Sequence, residues 1–218
     1  MSDIILTIII YAVPAILAIT LHEAAHGYVA RMYGDNTAWV LGRVTLNPLA
    51  HVDPVGTIIV PGALLMASLV SGTGGLLFGW AKPVPVNFRR LRNPKTSMIW
   101  VALAGPASNL FQAILWAVLL KVVLVLPMTS FVANLCVQFA YAGISVNLML
   151  MAFNLLPILP LDGGRVLAGL LPWQAAMSYS RLEPYGMLII IVLIASGLLN
   201  MFIRPFLIFG QTLVNLVL

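Results

Sequence analysis

The sequence predicts an all-α polytopic membrane protein, with about five to six membrane helices and a short β-hairpin or re-entrant element on the cytoplasmic side. Three observations carry that expectation. First, hydrophobic residues fill 61% of the 218 positions and charged residues only 8%, against roughly 45–50% and about 25% in soluble domains. So few charges cannot cover a solvated surface. Second, apolar runs recur at the length of about 20 residues needed to cross a bilayer. Third, five of the eleven basic residues (Lys82, Arg89, Arg90, Arg92 and Lys95) sit in one polar stretch between apolar runs, the pattern of a cytoplasmic loop. Basic residues placed this way, without interleaved aromatics, argue against nucleic acid as a partner despite the formal charge of +5. The composition excludes a disordered chain, and the single Cys136 excludes an intramolecular disulfide.

Residues 4–30 form the first apolar run, interrupted near its end by His22, Glu23 and His26. No positively charged region precedes it and no small-residue cleavage site follows, so it reads as a retained helix. Residues 31–54 are polar, and within them residues 38–46 are rich in β-formers. Residues 55–80 are apolar but carry Pro61 and several glycines. Residues 98–126 and 131–156 are clear spans. Residues 163–179 read as a short interfacial helix, residues 185–201 as a span, and residues 202–218 as apolar with one Arg204. The expectation is a single domain over residues 1–218, with a core at 4–175 and C-terminal helices at 185–218.

Loop charge sets the orientation. Residues 82–95, Arg31 and Arg43 should be cytoplasmic, with the turn at 127–130 outside. If both flanks of residues 55–80 are cytoplasmic, that segment re-enters rather than crosses, which its Pro and Gly content suits where protein covers the backbone. A full span, with Arg31 and Arg43 outside, is the competing reading. At about 1.5 Å of rise per residue, His22 lies in the inner part of the membrane. Asp162 follows the returning span on the same side.

The chain has three histidines and two glutamates, and two of those His and one Glu fall in His22-Glu23-Ala24-Ala25-His26. Residues four apart share a helix face, so both imidazoles can reach one metal ion. Glu23 beside them can move a proton from water to a leaving amine. Ionisable groups inside an apolar helix are costly and point to function. A hydrolytic zinc site needs three protein ligands and an open position. Asp162 is a candidate third ligand: Pro157 and Pro160 break the helix before it, and Gly163 and Gly164 permit close backbone approach. Its other reading is an N-cap for the following helix. Asp53 is the rival ligand.

These residues resemble the site-2 protease family of zinc-dependent intramembrane metalloproteases. The resemblance rests on the HExxH of residues 22–26, on Phe153-Asn154-Leu155-Leu156-Pro157 leading to Asp162-Gly163, and on Ala104-Gly105-Pro106-Ala107-Ser108-Asn109 between them. The segments at residues 42–48 and 79–87 look like its small bacterial branch. The resemblance implies one catalytic zinc held by His22, His26 and Asp162, with Glu23 as general base and Asn154 orienting substrate or stabilising the oxyanion. It also implies an integral, multi-pass protein of a bacterial inner membrane, with its site toward the cytoplasm. Its partners would be the lipid bilayer and a transmembrane protein substrate, cut in regulated intramembrane proteolysis. No PDZ domain or CBS pair is present, unlike larger members.

A metal-ion transporter or a non-proteolytic metal-binding membrane protein is the rival function. Transporters spread polar residues over several spans and often repeat internally, whereas here polarity converges on one inner-side cluster. Gly105, Pro106 and Asn109 read mainly as helix-packing residues, with Asn109 also placed to contact the site. His51 reads as a loop histidine at the interface, or alternatively as an extra metal contact. Residues 38–46 are expected to offer a β-edge to unwound substrate, with residues 84–88 as a second strand bearing Pro85 at its edge.

Overall fold

A computed structural model describes residues 2–59, 82–127 and 129–218. Helix α1 spans Ser2–Met32, and a single helical turn, α2, spans Thr37–Val40. A 3-10 turn at Pro48–His51 and a π-helical turn at Pro54–Ile59 follow. After a 3-10 turn at Phe88–Arg90 come α3 (Pro94–Val125) and α4 (Ser130–Asn154). The short α5 (Asp162–Leu170) and α6 (Trp173–Ser180) lead to α7 (Gly186–Ala195) and α8 (Leu199–Asn215).

The helices pack inside out relative to a water-soluble bundle. Large apolar side chains such as Ile8, Phe111, Val125, Phe131 and Ile191 are exposed, while Thr20, His22, Asn109, Gln112 and Asn147 are buried. An apolar exterior around a polar interior is stable only in lipid, and this is an integral membrane protein. Buried alanines (Ala18, Ala113, Ala117, Ala140 and Ala152) let α1, α3 and α4 approach closely. Helix α3 is the hub, contacting α1, α4, α5 and α8. Pro14 and Pro106 sit within α1 and α3 without ending them, as membrane helices tolerate.

The helical class holds, with three points to compare. Among the described residues, four segments are long and apolar enough to cross: Ile5–Met32, Pro94–Val125, Ser130–Asn154 and Trp173–Ala195, whereas the five to six expected were counted over the whole chain, residues 55–80 included. The run at 185–201 does not continue as one helix, because the chain turns at Gly197, whose φ is +74°. The 17-residue α8 then follows separately. The expected re-entrant element at 55–80 lies, beyond Ile59, outside the described residues.

The third point is the β-edge. Among the described residues there is no strand, and residues 38–46 begin in α2 instead. Local capping decides this. Asp35 Oδ1 accepts from the Thr37 amide at 3.0 Å. At the other end Arg43 N bonds to Ala38 O and Gly42 N to Trp39 O, a Schellman closure around Gly42 at φ +64°. Strand propensity depends on a pairing partner. Residues 82–87 carry no helix and pair with no strand; they lead into the Phe88–Arg90 turn.

Those residues lie as a strap against α1. Lys82 N donates to His51 O at 2.9 Å, and Asn87 N donates to Asp35 Oδ2 at 2.6 Å. Asp35 is fully buried. Burial pushes its pKa up, but hydrogen bonds from Thr37 and Asn87 and the nearby Arg90 outweigh it and hold the carboxyl below its ordinary range.

Candidate active site

One helical turn separates His22 from His26, and α1 aims both rings at α3 and at the start of α5. His22 Nε2 and His26 Nε2 lie 3.0 Å apart. Asp162 Oδ2 stands 3.2 Å from the first and 3.3 Å from the second. These three residues form the one potential metal-binding group of His, Cys, Asp and Glu among the described residues. Ligands about 2.0–2.1 Å from a tetrahedral zinc stand roughly 3.3 Å from one another, so the spacing suits one ion.

The hydrogen-bond network settles the tautomers in the same sense. His26 Nδ1 lies 2.7 Å from the carbonyl of Val101, which can only accept, so this nitrogen carries the proton. His22 Nδ1 lies 2.6 Å from Asn109 Oδ1. The Asn109 amide nitrogen donates to Ala18 O at 3.3 Å and to Asn147 Oδ1 at 3.1 Å, which fixes Oδ1 toward His22. Asn147 is fixed in turn by donation to Gly143 O at 2.9 Å. With both Nδ1 atoms as donors, the neutral rings turn two lone pairs toward each other and toward a carboxylate. Asp162 Oδ2 is buried there without a hydrogen-bond partner among the described residues. A cation resolves this convergence.

Gly105 makes the approach possible. A Cβ on it would overlap His26 Nε2 and His22 Nε2, so α3 passes the candidate metal ligands at backbone distance. The small-residue packing expected of Gly105 thus serves the site itself. Asp162 is the first residue of α5, and the next residue packs against the carbonyls of Leu155 and Leu156.

Glu23 is half-buried beside the pair, and its Oε2 accepts from the Val84 amide at 2.7 Å. Asn154 stands at the end of α4, where its amide donates to Leu150 O at 3.0 Å. That bond lies within its own helix rather than reaching the ligand cluster. Asp53, the rival ligand, instead caps the π-helical turn, accepting from Val55 N at 3.1 Å and Gly56 N at 2.6 Å. His51 is buried, with Nε2 3.1 Å from Thr45 O, and it does not join the metal group. Asn147 was not among the residues expected at the site. The signal was present: an amide within an apolar span, which lipid penalises unless something requires it.

The chain is similar in sequence to known proteins. Residues 123–197 match the model of peptidase family M50. The chain is 39% identical over 199 residues to the Bacillus subtilis protein named "Putative zinc metalloprotease YwhC", covering 90% of this chain and 84% of that one. It is 26% identical over 189 residues to the Mycolicibacterium smegmatis protein named "Putative zinc metalloprotease Rip2", covering 85% of this chain and 66% of the relative. The namesake in Mycobacterium tuberculosis is 24% identical over 189 residues, with the same coverage. No solved structure matches. An identity of 39% across nearly the whole chain leaves one assignment: the chain belongs to peptidase family M50, the site-2 proteases, and is a metalloprotease with a zinc cofactor.

Proposed function

We propose that the enzyme is an intramembrane endopeptidase, hydrolysing peptide bonds within transmembrane segments of other membrane proteins in regulated proteolysis. Its site would face the cytoplasmic side of a bacterial inner membrane. The single observation that carries this reading is the burial of His22 and His26, with Asp162 half-buried beside them, among helices whose exterior is apolar. Hydrolysis is thereby confined to a compartment that membrane segments share.

His22 and His26 from α1, with Asp162 from α5, would hold the ion, and Asn109 and the Val101 carbonyl orient the rings. Zinc supplies Lewis acidity there, polarising the scissile carbonyl and making water a better nucleophile. Glu23 takes a proton from the attacking water as the carbon–oxygen bond forms. It returns that proton to the amide nitrogen as the carbon–nitrogen bond breaks, so no net proton is consumed. Asn154, once released from Leu150 O, has an amide donor suited to the developing oxyanion or to substrate backbone.

Glu23→Gln tests the reading. The variant should retain zinc, since residue 23 is not a ligand, and lose cleavage of a membrane reporter in proteoliposomes. Cleavage that persists with zinc bound would refute the mechanism. Metal flux across the same vesicles would favour a transporter instead.

A further inference from the structure

We infer that the backbone amide of Val84 is a positioning group for the general base, built into the strap of residues 82–87. The inference rests on Glu23 acting as the base proposed above. A glutamate on a helix face samples several staggered rotamers, and few of them bring an oxygen to a neighbouring metal site. Here Oε2 accepts from Val84 N at 2.7 Å, short enough for a charge-assisted bond. With Oε2 engaged, Oε1 is left to take the water proton and pass it to the leaving nitrogen.

The strap's sequence selects this donor. Residues 83 and 85 are both proline, which lack an N–H and hold the residues before them extended. Val84 therefore offers the single amide between Lys82 and Val86. The strap is anchored on both sides of it. Lys82 N donates to His51 O at 2.9 Å, Arg43 Nη2 donates to Lys82 O at 3.0 Å, and Asn87 N donates to the buried Asp35 at 2.6 Å. Val84 itself is only 7% exposed, so its amide does not exchange Glu23 for water. A backbone donor fixed by neighbouring anchors keeps its direction, which a mobile side chain would not.

The test replaces valine 84 by its α-hydroxy acid in the full-length enzyme, converting one amide to an ester, which deletes the N–H and weakens the Pro83 carbonyl as an acceptor, the latter facing only the long contact from Arg43 Nη2 at 3.4 Å. Loss of a hydrogen bond to a charged group should lower kcat by about tenfold or more, with KM and zinc content unchanged. The same exchange at Lys82 loosens one anchor of the strap without deleting the bond to Glu23, and should lower kcat clearly less than the Val84 ester does. Independently of whether the ester protein folds, Glu23→Ala should speed hydrogen exchange at the Val84 amide while Lys82 keeps its protection. Wild-type kcat in the Val84 ester, equal losses in both esters, or unchanged Val84 exchange would each overturn the inference. Should the unaltered enzyme cleave no membrane reporter, the functional reading fails instead, and the exchange result still reports on the bond.

Discussion

The two halves of the proposed metal site are held by different physics. On the histidine side, each imidazole uses its far nitrogen to bond α3, to Asn109 Oδ1 at 2.6 Å and to Val101 O at 2.7 Å. Asn147 supports Asn109 in turn. On the aspartate side, Asp162 Oδ2 meets no hydrogen-bond partner among the described residues, and its position comes from backbone packing. A Cβ at Gly163 would sit 2.2 Å from Leu155 O, and one at Gly164 2.5 Å from Leu159 N. One half orients its ligands with hydrogen bonds that also fix the tautomer. The other places its ligand by excluding any alternative path for the chain. Perturbing the first should grade metal affinity, whereas perturbing the second should act more nearly all or none.

The largest effect expected is from Asp162→Ala, which should abolish zinc binding and cleavage together. Asp53→Ala, whose carboxylate caps the turn at Pro54–Ile59, should leave zinc content intact. Metal analysis of both purified variants checks this, and equal zinc loss would return the third ligand to dispute. Gly105→Ala follows closely. Its methyl group would strike two rings pinned at their far nitrogens, so zinc content and cleavage should both collapse although the protein still folds into membranes.

A graded effect should appear one shell out. Asn109→Ala removes the acceptor for His22 Nδ1 and should weaken zinc affinity by about 10–100-fold, measured by competition with a chelator. Asn147→Ala acts only through Asn109 and should cost less. If Asn147→Ala were the more damaging of the two, the relay from Asn147 to His22 would be wrong. The smallest effect concerns the strap. Asp35 has a folded pKa held below its ordinary 3.8, so its stabilisation is complete above the unfolded value and lost as pH falls through the folded one. Thermal unfolding in detergent should therefore show wild type losing stability from about pH 4 downward. Asp35→Asn should start lower at neutral pH and fall less over that range.

Where the sequence was readable, the information was local. HExxH places two imidazoles on one face because helix geometry alone relates residues four apart. Composition placed the chain in lipid because too few charges remain for a wet surface. Where the reading failed, the deciding partner lay elsewhere. Residues 38–46 carry strand formers, yet no neighbouring strand satisfies them among the described residues, and the caps at Asp35 and Gly42 close a helical turn instead. Asp53 and Asp162 were both plausible ligands by residue type, and the path of the chain separated them.

By itself the sequence determined the membrane setting and the helical class, and it singled out His22, Glu23 and His26 as candidates for metal-dependent chemistry while leaving Asp162 and Asp53 as rival third ligands. Composition and short-range spacing need no knowledge of the fold. Tertiary structure alone decided which groups orient them. His22 meets Asn109 across 87 positions, a contact the sequence offered without its partner, and Glu23 meets the Val84 amide across 61, a pairing with no local pattern to announce it. A backbone amide carries no residue signature at all. Its direction is set by how the strap lies on α1, and that depends on every anchor along it.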